Sequence, residues 1–81
     1  MRITIDRVKQ IMKQLEIVDD PGKVREDLTF KSQGIDSLSA LNIFLAIEEE
    51  LGIKLKDQDI EKLNTPRQIV DFVSANFPEG G

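Results

Sequence analysis

Eighty-one residues, 40% hydrophobic and 32% charged, make one globular domain whose core is aliphatic, because four Phe are its only aromatic residues. The chain has no Cys and no His, which excludes disulfides, thiolate chemistry, cysteine-ligated zinc and a His-based hydrolytic triad. The net charge of −4 is uneven: residues 1–35 carry seven basic and six acidic side chains, residues 36–81 four and nine. An acidic half disfavours nucleic acid and suits partners that present a basic patch.

Val8, Ile11, Met12 and Leu15 fall at i, i+3, i+4 and i+7 and predict a first helix. Thr4 is its N-cap, Asp6 sits in the first turn where the dipole favours an acid, and the helix runs out near Glu16. The cluster Asp19-Asp20-Pro21-Gly22 is strong turn chemistry. From Ile17 to Asp36 the pattern is irregular, and a loop of this length in a compact domain usually has a task. One short helical turn is expected in it, with Leu28 and Phe30, two residues apart, pinning it to the core.

A second helix is expected from about Ser37 to Leu51, with Gly52 just past its end. Its apolar residues cover most of the circumference, which predicts a central helix with neighbours on several sides and only Ser39, Asn42 and Glu48-Glu49-Glu50 exposed. Ile53 and Leu55 alternate with lysines like a strand, but have no second strand to pair with. Ile60 and Leu63 predict a short third helix over about Asp57–Leu63. Thr65, Pro66 and Gln68 form a capping box that starts the last helix, which buries Ile69, Val70, Phe72 and Val73 and ends near Asn76. The expected fold is all-α: a small four-helix bundle of three longer helices and one short third helix, with a long loop between the first two. Residues 1–77 form the single domain and 78–81 a flexible tail. The longest unbroken apolar run, Ile43–Ile47, is far too short to span a membrane, and no secretory pattern opens the chain, so a soluble, cytoplasmic domain is expected.

The segment Gly34-Ile35-Asp36-Ser37-Leu38 lies where the long loop meets the central helix. With Asp36 as N-cap, Ser37 is the first helical residue, its hydroxyl at a helix mouth whose free N–H groups and dipole favour a phosphate. Without a base held against it, that hydroxyl is not an activated nucleophile and reads as the acceptor of a group another enzyme installs. Asp-Ser alone is ordinary capping. In register with a Gly-containing loop, an apolar helix and Glu48-Glu49-Glu50-Leu51-Gly52-Ile53, it resembles the acyl carrier proteins.

That family is a four-helix bundle with Gly-x-Asp-Ser-Leu opening the second helix. The resemblance runs from Val8 to Val73. It implies that Ser37 carries 4′-phosphopantetheine, transferred from coenzyme A by a phosphopantetheinyl transferase, and that acyl groups ride on the arm as thioesters. It also implies roles for neighbouring residues: Asp36 helps the transferase and its metal engage the site, and Leu38 packs near the root of the arm and meets partner enzymes. Glu48, Glu49 and Asp57 correspond to acids that dock the basic patches of acyl-loading and acyl-processing enzymes, and Phe44 and Ile60 to the acyl cavity.

The chain departs from the family pattern at Ser39 and Asn42, where fatty-acid carriers typically have acids, at Gln33 in place of Leu and at Lys56 in place of Pro. These departures imply a dedicated set of partners rather than general fatty-acid synthase enzymes. Asp57-x-Asp59-x-Glu61 begins like a calcium loop, but Lys62 holds the required Gly position and Gln68 that of the bidentate Glu. Gly80-Gly81 resembles the end of ubiquitin-like proteins, which the helical periodicity opposes. The expected function is that of a monomeric, non-enzymatic acyl carrier in fatty-acid, polyketide or specialised lipid biosynthesis. The alternatives are an aminoacyl or peptidyl carrier, or an unmodified helical interaction module.

Overall fold

The computed structural model describes residues 3–77, and among them four α-helices and no strand. The first, α1 (Ile5–Gln14), starts at Thr4, whose hydroxyl accepts the Arg7 N–H at 3.1 Å. Val8, Ile11 and Met12 are buried along its predicted stripe. The helix stops two residues short of Glu16, because Glu16 turns into the left-handed region (φ 59°) and the Ile17 N–H reaches back to the Met12 carbonyl at 2.9 Å. Such a closure usually falls to Gly. Leu15, assigned to the stripe, therefore lies beyond the helix and is exposed.

The long loop holds two 3₁₀ turns, Pro21–Lys23 and Lys31–Gln33, where one was expected. Phe30 is buried as predicted, but Leu28 is exposed because Glu26–Leu28 form a turn and bend rather than extended backbone. Val24 and Ile35 join Phe30 in the core instead. Two hydrogen bonds tie the loop to the far end of the chain: Phe30 N–H to the Asn64 carbonyl and Arg67 N–H to the Glu26 carbonyl, both 2.9 Å. The Arg67 guanidinium meets the Glu26 carboxylate at 2.7 Å beside the second of them.

The predicted span of α2 (Ser37–Leu51) holds, closed by Gly52 at φ 66°. Its surroundings do not. Ile43, Phe44, Ile47 and Leu51 are buried, but Leu38, Leu41 and Leu45 are 68%, 41% and 51% exposed, whereas Ser39 is half-buried. In so small a bundle only one side of the helix finds neighbours. Its C-terminal end is fastened to α1 by a two-pronged pair in which Arg7 Nε donates to Glu50 Oε2 at 2.7 Å and Arg7 Nη2 to Glu50 Oε1.

Ile53 and Leu55 are both buried from an extended link that forms no strand. The short helix α3 (Asp57–Ile60) is a single turn rather than the predicted seven residues. Its cap, Lys56, makes no side-chain hydrogen bond, and beyond Ile60 the chain continues in tighter i→i+3 bonds that carry Leu63 into the core. The capping box at Thr65 and Gln68 opens α4 (Pro66–Asn76), which buries Ile69, Val70 and Val73 and half-buries Phe72. One continuous apolar cluster joins residues of α1, the loop, α2, both links and α4, with Ile60 of α3 packed against it. No helix of the described residues is long and apolar enough to cross a membrane. The tail expected over 78–81 lies outside the described residues.

Candidate functional site

Asp36 caps α2 through a 2.8 Å hydrogen bond from the Ser39 N–H to its Oδ1. That bond, reinforced by the Ser39 hydroxyl, holds the Asp36 carboxyl below its ordinary value of 3.8, against a smaller opposing effect of burial. Ser37 follows as the first residue of the helix and is exposed. The carboxylate nearest to it in sequence is thus turned along the helix end toward Ser39. Gly34, at φ 80°, makes the left-handed turn that brings the loop into the cap.

Beside Ser37 opens a cleft of about 580 Å³, within the range of small-molecule sites. Its α2 side is Ala40, Leu41 and Phe44, and its loop side Thr29, Phe30, Lys31 and Ile35. Ile60, Glu61, Leu63 and Asn64 close it from α3 and the link beyond. Phe30 meets Phe44 edge-on, with ring centroids 6.5 Å apart and planes at 87°. The interior is therefore apolar and the rim polar, and Ser37 stands on that rim.

Of the residues singled out from the sequence, Asp36, Ser37, Phe44 and Ile60 come together at this cleft. Leu38 does not line it and points to solvent. The acids divide. Glu49 and Asp57 are exposed, whereas Glu48 Oε2 accepts the Leu55 N–H at 2.7 Å and Glu50 is held by Arg7. The hydrogen bond from Arg7 keeps the Glu50 carboxyl below its ordinary value of 4.5. Sequence reasoning missed the loop wall and Asn64, which are joined by the tertiary bond between the Phe30 N–H and the Asn64 carbonyl.

The family of the phosphopantetheine attachment site matches residues 6–73. The acyl carrier protein of Thermosynechococcus vestitus is 35% identical over 72 residues, covering 86% of each chain. Acyl carrier protein 2 of Arabidopsis thaliana, a mitochondrial protein by name, is 33% identical over 72 residues; the match takes in 88% of this chain but 56% of that protein's length. The cytoplasmic expectation therefore does not follow from kinship alone. Among solved structures, the oxytetracycline acyl carrier protein superposes with a TM-score of 0.83 at 26% identity, covering 100% of this chain and 88% of that one. On the family match and the cyanobacterial relative together, this chain belongs to the acyl carrier protein family, whose phosphopantetheine-binding domain bears a covalently attached 4′-phosphopantetheine.

Proposed function

We propose that Ser37 is the attachment point of the arm and that the chain carries acyl groups for fatty-acid, polyketide or specialised lipid biosynthesis. The observation that carries this reading is an exposed serine at the first position of a capped helix, on the rim of an apolar cleft. The arm supplies the thiol on which an acyl group is held as a thioester. The chain's own residues do the rest. Asp36 keeps the helix mouth open at Ser37 by taking the Ser39 N–H, and the first-turn N–H groups favour a phosphate there. Phe44, Ile60 and their neighbours offer apolar cover, where each sheltered CH₂ gains about 0.8 kcal/mol. That holds a short chain without preventing its release to an enzyme.

The protein is proposed to be a carrier and not a catalyst, because Asp36 is engaged by Ser39 and the chain has no His to take the serine proton. A phosphopantetheinyl transferase must then act on it, and loading and processing enzymes with basic patches would meet the exposed acids Glu49 and Asp57 of a monomer. The cyanobacterial and oxytetracycline relatives, both acyl carriers by name, support an acyl cargo over an aminoacyl one.

Incubation with coenzyme A, Mg²⁺ and a broad-specificity transferase, followed by intact mass measurement, tests the reading. Wild type gains one arm and Ser37→Ala gains none. An unmodified wild type, or a modified Ser37→Ala, rejects it. The group found on protein recovered from its own cells then separates acyl from aminoacyl cargo.

A further inference from the structure

Only the 3₁₀ turn at Lys31–Gln33 gives the loop wall of the cleft regular backbone pairing, so the segment before it needs partners from elsewhere. One side chain supplies three close ones, besides a long contact of 3.5 Å to the Thr29 carbonyl. Gln33 Oε1 accepts the Arg25 N–H at 2.8 Å, while Gln33 Nε2 donates to the Arg25 carbonyl and the Leu28 carbonyl, each at 2.9 Å. The amide thus pairs with both backbone groups of Arg25, as a neighbouring strand would, and closes the segment 25–33 into a ring. Thr29, Phe30 and Lys31, three of the loop residues that line the cleft, lie within that ring. Only a primary amide fits. A carboxylate of the same shape would set an acceptor against two carbonyls, and an aliphatic side chain would pair with none.

We propose that Gln33 is a positioning residue which sets the width of the cleft mouth, and so which acyl chains this carrier shelters; this rests on the reading of Ser37 and the cleft above. The wall is held from two sides. Phe30 donates its N–H to the Asn64 carbonyl, a bond in which the Gln33 side chain has no part, and its ring lies edge-on to Phe44. The front edge at Thr29 depends on the Gln33 ring, together with the short bonds that Ser32 makes to Thr29. Releasing Gln33 therefore loosens the mouth while the floor stays in place. Gln33 is itself only half-buried and outside the apolar core, so its replacement leaves the bundle intact.

The test uses Gln33→Leu and Gln33→Glu, the second keeping size and shape while removing only the donors. In the protein without its arm, hydrogen exchange at the Arg25 amide should quicken about tenfold or more in Gln33→Leu, which removes its acceptor, and less in Gln33→Glu, which keeps an acceptor oxygen but loses the bonds to the Arg25 and Leu28 carbonyls, and the Phe30 and Phe44 ring signals should keep their wild-type shifts. In arm-bearing protein loaded with straight acyl chains of increasing length, thioester cleavage by hydroxylamine reads the shelter. Both variants should protect short chains less than wild type and shift best protection to longer or bulkier chains. Unchanged exchange at Arg25 in Gln33→Leu overturns the clamp. Faster exchange with a wild-type protection profile overturns its control of the cleft. Should Ser37 accept no arm, the exchange measurement still reports on the clamp, so the two failures are told apart.

Discussion

Glu48 and Leu55 are bound side chain to backbone: the Glu48 Oε2 accepts the Leu55 N–H at 2.7 Å. The carbonyl of the same residue accepts the N–H groups of Gly52 and, at 3.1 Å, Ile53. One glutamate thereby organises the whole exit from α2 and delivers Ile53 and Leu55 into the core. Truncation in Glu48→Ala should lower stability by about 1.5–3 kcal/mol, the range for a hydrogen bond to a charged acceptor. Glu48→Gln keeps an acceptor oxygen for Leu55 and should lose far less in urea titration. Equal losses in the two variants would show that charge, not this bond, is what matters.

The three consecutive glutamates are consequently not equivalent toward partners. Glu48 serves Leu55 and Glu50 serves Arg7, so Glu49 is the member of the triplet left exposed. Glu49→Gln should weaken association with a basic-patch partner, with the deficit shrinking as salt rises, and leave the melting temperature unchanged. A drop in melting temperature without a change in affinity would reverse this assignment.

Glu50 gives the bundle a pH-dependent tie. Its carboxyl titrates below its ordinary value of 4.5 because Arg7 hydrogen-bonds to it, so the unfolded chain takes up that proton more readily than the folded one. The stabilisation is complete above 4.5 and is lost as pH falls through the folded-state value. Wild type should therefore exceed Glu50→Gln in stability at neutral pH, with the gap closing in acid. A gap that stays constant down to strong acid would contradict the linkage.

Two left-handed residues close two helices in the same way, but only one is a glycine. Glu16 (φ 59°) ends α1 and Gly52 (φ 66°) ends α2, each followed by an N–H reaching back to a carbonyl five residues earlier. A side chain in this region costs about 1–2 kcal/mol. Glu16→Gly should raise stability by up to about 1 kcal/mol, less the added freedom of the unfolded chain, and Gly52→Ala should lower it by a similar amount. Nothing lies near the position a Gly52 Cβ would take, so the loss would come from backbone conformation alone.

What could be read from the sequence was local. The caps at Thr4, Asp36 and Thr65, and the glycine exit at Gly52, rest on residues a few positions apart and all stand as expected. Chain order alone could not show how many neighbours α2 would have, and so which of its leucines would be exposed. Leu38, Leu41 and Leu45 look as apolar as Ile43 and Ile47, and only the placement of the other helices separates them. The length of α3 depended on the chain passing into i→i+3 bonds beyond Ile60, and the Gln33 ring on a loop folding back over eight residues. At the site, Ser37 and Asp36 were legible because a cap and its neighbour are adjacent. Asn64 was not, since it meets the loop wall through a bond to Phe30, far from it in the chain.

Asp36 separates capping from charge at the proposed attachment site. Asn is as good an N-cap as Asp, so Asp36→Asn should keep the bond from Ser39 and fold like wild type at neutral pH, whereas Asp36→Ala loses the cap. Because the hydrogen bonds from Ser39 hold the Asp36 carboxyl below its ordinary value of 3.8, the part of stability that depends on its charge is present above that pH. It is lost as pH falls through the folded-state value, and Asp36→Asn should lack this acid-labile part. If the carboxylate also helps a transferase and its Mg²⁺ engage Ser37, arm transfer to Asp36→Asn should slow by about tenfold or more, the worth of one charge-assisted contact. The helix content of that variant should stay as in wild type. Transfer at the wild-type rate in Asp36→Asn, with a loss confined to Asp36→Ala, would reduce Asp36 to a cap that holds the helix mouth open.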